Sequence, residues 1–248
     1  MKSYGDPEAA QRTLGRIAEI CHRDPETLLN NILQGNPHPD KAIANLERWL
    51  KAATNPAIVW ASLEDSPELG KLLMTVMGAS NQLSDVLVQN PELASLVLDP
   101  EQLSSPPTLE QIERLATRSL ENFSSYSHAL DRLRFVKQQV TLRIAIADLG
   151  GLWEEQDVWR SLSSLADVIV SQAVIVVWDE YKSLHNLEGS CPVSVVAFGK
   201  LGGQELNFSS DIDLVYVLND EADESLEKHS VTFCQMLGKA LSDRMGRG

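Results

Sequence analysis

Between two apolar, strand-like runs lies the stretch Gly199-Lys200-Leu201-Gly202-Gly203-Gln204-Glu205-Leu206-Asn207-Phe208-Ser209-Ser210-Asp211-Ile212-Asp213-Leu214, a glycine turn followed by two carboxylates one residue apart. Side chains alternate faces along a strand. Asp211 and Asp213 are therefore expected to point the same way, Val215 and Val217 continuing that face and Ile212, Leu214, Tyr216 and Leu218 covering the other. Two carboxylates sharing one small volume repel each other, and a divalent cation between them removes the repulsion. Magnesium suits such a pair, because it accepts one or two carboxylates together with substrate phosphate oxygens at roughly 2.0–2.1 Å. Paired metals about 3.5–4 Å apart can hold both the attacking and the leaving oxygen of an in-line displacement.

The glycines supply the other half of this corner. Gly202 and Gly203 follow the apolar run Val193 to Phe198 and, lacking Cβ, allow a tight turn and close approach of backbone to a phosphate. A short helix beginning at Gln204 to Leu206 would add free N–H groups as an anion site, and Ser210 offers a hydroxyl just ahead of the first aspartate. Lys200 reads either as a phosphate contact or as a surface lysine, and Glu205 and Asn207 read as caps and loop braces.

The elements that must position this corner are helical until late in the chain. Asp40 is expected to cap a helix with Ile43, Leu46, Trp49 and Leu50 on one face, and Ser66-Pro67-Glu68 opens another that ends near Gly78. A third around Gln82 to Gln89 stops before Asn90-Pro91, and a fourth runs to Leu98 before Asp99-Pro100. Ser104 to Pro107 reads as a linker, Thr108 with Gln111 as a capping box, and Tyr126 to Leu149 as a long helix ended by Gly150-Gly151. A helix from about Ser161 to His185 turns Leu162, Leu165, Ile169, Ala173, Val176 and Val177 inward beneath the sheet. After the second strand come an acidic turn at Asp220 to Glu224 and an amphipathic helix marked by Leu226, Phe233, Met236, Leu237, Ala240 and Leu241.

Composition narrows the function classes. The chain has 248 residues, with 21 basic and 35 acidic side chains giving a net charge of −14, which argues against a nucleic-acid partner and for a protein one. Cys21, Cys191 and Cys234 are far apart and lack metal-ligand spacing, so reduced thiols in a cytoplasmic setting are expected. No h-region opens the sequence, and the apolar run Val168 to Trp178, interrupted by Ser171 and Gln172, reads as too short to span a membrane and as a buried helix instead. The histidines are scattered without ligand spacing, the basic cluster Arg132, Arg134, Lys137 and Arg143 reads as a solvated or ion-paired helix face, and Trp153, Trp159 and Trp178 read as packing residues.

The glycine-to-aspartate string resembles the signature of the glutamine-synthetase adenylyltransferase/deadenylylase family, G-K-L-G-G-x-E-L-N-x-x-S-D-I-D-L, with every fixed position present. The segments Met77 to Leu93 and Leu142 to Leu149 resemble the same family, so the likeness extends from about residue 40 onward. It implies an α+β fold, with a helical region over residues 1–105 and the start of a polymerase-β-like nucleotidyltransferase domain with a small sheet over 106–248. It also implies Asp211 and Asp213 as catalytic and metal-binding residues, Gly202, Gly203 and Ser210 as nucleotide- and phosphate-binding residues, and Mg2+ as cofactor. Implied partners are glutamine synthetase, a nucleotide and phosphate, and a nitrogen-signalling regulatory protein, with neither nucleic acid nor membrane.

Nucleotidyltransferases of this superfamily have a third carboxylate on a later strand. None is placed for it here, since Asp220 and Asp223 fall in a turn and Asp243 on the last helix, so the sequence reads as cut short on its C-terminal side. The polar leader and the purely helical sequence before the motif favour the family's N-terminal, AMP-removing half. ATP-dependent adenylylation by the same two aspartates and a docking fragment without activity remain the alternatives.

Overall fold

A computed structural model describes residues 4–94, 99–121, 123–219 and 224–245. The fold is α+β, a helical region followed by a small two-stranded sheet. The chain divides into two compact units, one of residues 1–104 with 145–152 and the other of residues 105–144 with 153–248.

The first unit is built from α1 (Pro7–Cys21), α2 (Glu26–Ile32), α3 (Pro39–Ala52), α4 (Pro56–Asp65), α5 (Pro67–Ala79), α6 (Asn81–Gln89) and the single turn α7 (Pro100–Leu103). Five of these helices have proline at the first position, directly after a polar residue at the cap, which is where a missing N–H costs nothing. The expected stripe on α3 is observed, with Ile43, Leu46, Trp49 and Leu50 all buried. Its cap is His38 rather than Asp40, whose carboxylate instead accepts the N–H of Gly5 at 2.9 Å and so ties the entry of α1 to α3. Glu47 on the same helix is buried and clamped, its two oxygens taking Arg16 Nε at 2.7 Å and a terminal Arg16 nitrogen at 2.8 Å, with Lys51 one turn on. The carboxyl of Glu47 is held below the usual value chiefly by the Arg16 hydrogen bond, against the opposing effect of burial. Cys21 is buried and free, and burial pushes its thiol up to about 11. The fourth predicted helix falls largely on residues 95–98, outside the described residues.

The second unit opens with α8 (Leu109–Ser119), whose capping box is complete. Thr108 Oγ accepts from Gln111 N at 3.2 Å, and Gln111 Oε1 accepts from Thr108 N at 2.9 Å. The long α9 spans Tyr126–Leu149, the expected bounds, and α10 runs from Glu155 to His185, about two turns earlier at its start than the sequence suggests. Gly150-Gly151 ends α9 within the first unit.

By length and composition α10 is apolar enough to cross a bilayer, which corrects the reading of its run as too short. Leu162, Leu165, Ile169, Ala173, Val176 and Val177 are nevertheless buried in the unit's core with Leu130, Leu133 and Val140 of α9, the behaviour of a core helix. The basic residues of α9 are absorbed locally. Arg132 Nε donates to Ser119 O, Arg134 pairs with Asp131, and Arg143 donates to Ser105 O while lying over Trp153.

After α10, β1 (Val193–Phe198) and β2 (Asp213–Leu218) form an antiparallel pair joined through the single turn α11 (Gly199–Gly202). α12 (Glu224–Lys239) then closes the core with Phe233 and Leu237 and passes into a π-helical end over Ala240–Met245, which no periodicity foretold. The predicted acidic turn, Asp220 and Asp223 included, lies mostly outside the described residues, as do the side chains of Leu226 and Asp243.

Candidate active site

The site begins with the sheet's two faces. Val193, Val195, Ala197, Leu214 and Tyr216 point into the core shared with α10, which leaves Ser194, Val196, Phe198, Asp213, Val215 and Val217 on the outer face. The register sets Val196 opposite Val215 and Phe198 opposite Asp213. The last residue of β1 and the first of β2 are thus cross-strand neighbours, with Cβ atoms about 5 Å apart.

From Phe198 the chain turns at once, and the residue that makes the turn is Gly199, with φ of +57°. A Cβ there would sit 2.6 Å from Asp213 Oδ2, so the carboxylate of Asp213 lies directly over this glycine. The sequence placed the tight turn at Gly202 and Gly203; the left-handed residue is three positions earlier, where the strand ends. Gly202 has a different reason for lacking a side chain, since a Cβ would meet the Ala197 carbonyl oxygen at 2.7 Å, whereas Gly203 has no neighbour nearer than 3.5 Å. The expected short helix at Gln204 to Leu206 is also displaced. Helix occupies Gly199–Gly202, and Gln204 takes a φ of +56°, which ends it.

The turn is pinned to α10 from beneath. Leu201 and Leu206 are buried in the core, Leu206 N donates to the buried Ser163 Oγ at 3.2 Å, and Gln204 Nε2 donates to Asp167 Oδ2 at 3.0 Å. Ser163 and Asp167 were not singled out from sequence, where one more serine and one more aspartate on a helix carry no signal. Downstream, Asn207 is the brace it was expected to be, its Oδ1 accepting from Ser209 N, Ser209 Oγ and Ser210 Oγ. Ser210 Oγ, which also accepts from Asn207 N at 3.1 Å, has its one proton committed to this loop.

The two aspartates are placed unequally. Asp213 opens β2, while Asp211 precedes the strand, so strict alternation does not reach it. Ile212, expected among the inward residues, is 38 % exposed for the same reason. Both aspartates are exposed, and neither carboxylate has an ion pair or hydrogen bond among the described residues. Two uncompensated acidic side chains beside a glycine turn are a donor set that suits a hard divalent cation completed by phosphate oxygens. No group of three or more metal-ligating side chains occurs among the described residues.

On the opposite face of the sheet an open cavity of about 400 Å³ is lined by Tyr216, Leu218, Val231, Cys234 and Gln235 among others, remote in register from Asp213. Nearby, Tyr181 Oη lies 2.9 Å from His229 Nδ1, and the rings of His229 and His185 are 5.0 Å apart. Sequence spacing could not bring these two histidines together.

Residues 70–248, which include the whole glycine and aspartate corner, match the family of glutamate-ammonia ligase adenylyltransferase. The chain belongs to this family. Its relatives include proteins named bifunctional glutamine synthetase adenylyltransferase/adenylyl-removing enzyme. That of Burkholderia mallei is 29% identical over 211 residues, covering 85% of this chain and 22% of the relative. That of Idiomarina loihiensis is 32% identical over 203 residues, covering 77% of this chain and 21% of the relative. That of Rhizobium meliloti is 29% identical over 224 residues, covering 90% of this chain and 22% of the relative. The chain therefore spans about a fifth of the length of the relatives it matches.

Proposed function

We propose that this chain carries a magnesium-dependent nucleotidyl-transfer site acting on a tyrosine of glutamine synthetase, and that the direction it serves is removal of AMP by phosphorolysis. The observation that supports the chemistry is the seating of Asp213 over the glycine turn, with Asp211 two residues ahead and neither carboxylate otherwise engaged. Family membership and the names of the relatives supply the substrate. The free thiols of Cys21, Cys191 and Cys234 favour a reducing compartment, and we place the reaction in the cytoplasm.

In this reading an oxygen of inorganic phosphate attacks the phosphorus of adenylyl-tyrosine. The new bond makes ADP, the bond from phosphorus to the phenolic oxygen breaks, and the departing phenolate takes up the proton that the attacking phosphate gives up. Asp211 and Asp213 would hold Mg2+, which when bound supplies neutralisation of the charge gathering on the phosphoryl oxygens. Of the turn's glycines Gly203 is the least crowded and the one a phosphoryl group can approach, and the docking of the turn on Ser163 and Asp167 fixes its position relative to the carboxylates. With a phenol of pKa about 10 as leaving group, positioning and charge neutralisation carry most of the acceleration.

Mixing the chain with adenylylated glutamine synthetase, phosphate and Mg2+ should yield ADP and the unmodified tyrosine. Pyrophosphate formed from ATP, with AMP gained by the tyrosine, would assign the opposite direction to the same residues. Binding of glutamine synthetase that is indifferent to Mg2+, with no nucleotide bound, would mean a docking fragment.

A further inference from the structure

The outer face of the sheet next to Asp213 is apolar and bare. Val196, Val215 and Val217 are 41 %, 46 % and 45 % exposed, and Phe198 is 54 % exposed at the end of the row. These side chains are contiguous, since Val196 pairs with Val215 and Phe198 with Asp213 across the ladder. A contiguous apolar strip beside an acidic, glycine-turned corner is the kind of surface that meets a ligand or partner. Its position narrows the ligand. Phe198 is the cross-strand partner of the carboxylate seated over the glycine turn, so a molecule whose phosphate is held through a cation at Asp213 would extend its organic part over this ring.

Building on the nucleotidyl-transfer reading, we propose that Phe198 is the platform for the adenine ring of the bound nucleotide, with Val196 and Val215 extending the surface beneath it. Every base has a π-face, and an exposed aromatic ring beside a phosphate site is the usual way of holding one. Adenine is present in both directions of the reaction, in ATP, ADP and adenylyl-tyrosine, so the assignment does not depend on which direction the chain serves. Phe198 is thus a positioning residue. It holds the nucleotide's far end while the aspartates and the glycine turn hold the phosphoryl group.

The test compares a ligand with a base and one without. Calorimetry with Mg2+ should show ADP and pyrophosphate both binding the wild-type chain. Phe198→Ala should weaken ADP by about tenfold or more, the range of a lost base stack, while pyrophosphate affinity stays within twofold, and Phe198→Trp should restore ADP. ADP bound equally well by Phe198→Ala would overturn the platform and leave the nucleotidyl-transfer reading intact, the tyrosine of the protein substrate then being the candidate for this surface. Equal loss of ADP and pyrophosphate in Phe198→Ala would also overturn it, by marking the residue as structural. Failure of the wild-type chain to bind either ligand would instead strike the underlying reading.

Discussion

Replacing Gly199 by alanine perturbs two features that the structure couples. The residue sits at φ +57°, where an L side chain costs about 1–2 kcal/mol. The added methyl would lie 2.6 Å from Asp213 Oδ2, which forces that side chain off its rotamer at a further cost of about 0.5–1.5 kcal/mol or moves the strand end. Gly199→Ala should therefore lose roughly 2–3 kcal/mol in urea unfolding followed by tryptophan fluorescence. It should also lose Mg2+-dependent ADP binding, because the carboxylate it displaces is the one proposed to hold the cation. Gly203→Ala is the stability control. With its nearest neighbour at 3.5 Å and no positive φ, it should stay within about 0.5 kcal/mol of wild type. A Gly199→Ala chain as stable as Gly203→Ala, with ADP binding intact, would refute the placement of Asp213 over the turn.

Three further outcomes follow from the packing. Ser163→Ala removes the buried acceptor of Leu206 N and should cost about 1–3 kcal/mol by urea unfolding, with faster amide exchange confined to the glycine loop. Thr108→Ala breaks one half of the capping box and should cost about 1 kcal/mol, seen as fraying of the first turn of α8 by amide exchange. Glu47→Gln should cost about 1.5–3 kcal/mol near neutral pH, since Glu47 is a buried charged acceptor. The sign of the pH effect is fixed by the direction of the shift. A carboxyl held low when folded stabilises above its ordinary value of 4.5 and gives that stability up as acid takes the pH down through the lowered folded value. Acid unfolding should accordingly be less steep in Glu47→Gln than in wild type below about pH 4.5.

What the sequence displayed and what it concealed divide by range. Local signals were legible: the Thr108 and Gln111 capping box, the full span Tyr126–Leu149, the buried stripe of α3 and the loop brace at Asn207 each depend on residues a few positions apart. The corner's composition was legible too, because a glycine turn and two aspartates are chemically distinctive. Its geometry was not. Which glycine turns the chain depends on where β1 ends, and that is set by the pairing of Phe198 with Asp213 across 15 positions, 213 − 198. The same pairing starts β2 at Asp213 and leaves Asp211 and Ile212 ahead of the strand. Ser163 and Asp167 support the loop from a helix some 40 residues upstream, and the meeting of His185 with His229 needs α12 folded back on α10. The start of α10 lies ahead of the stripe visible in the sequence because Glu155 to Arg160 carry little apolar period, and acidic first-turn residues rather than a buried stripe begin that helix.

The most direct measurement is a calorimetric titration of ADP into the chain with and without Mg2+, repeated on Asp211→Asn and Asp213→Asn. The account predicts binding that requires Mg2+ in the wild-type chain and is lost in both variants while their unfolding midpoints stay unchanged. ADP binding that persists without Mg2+, or that survives in both variants, would contradict it.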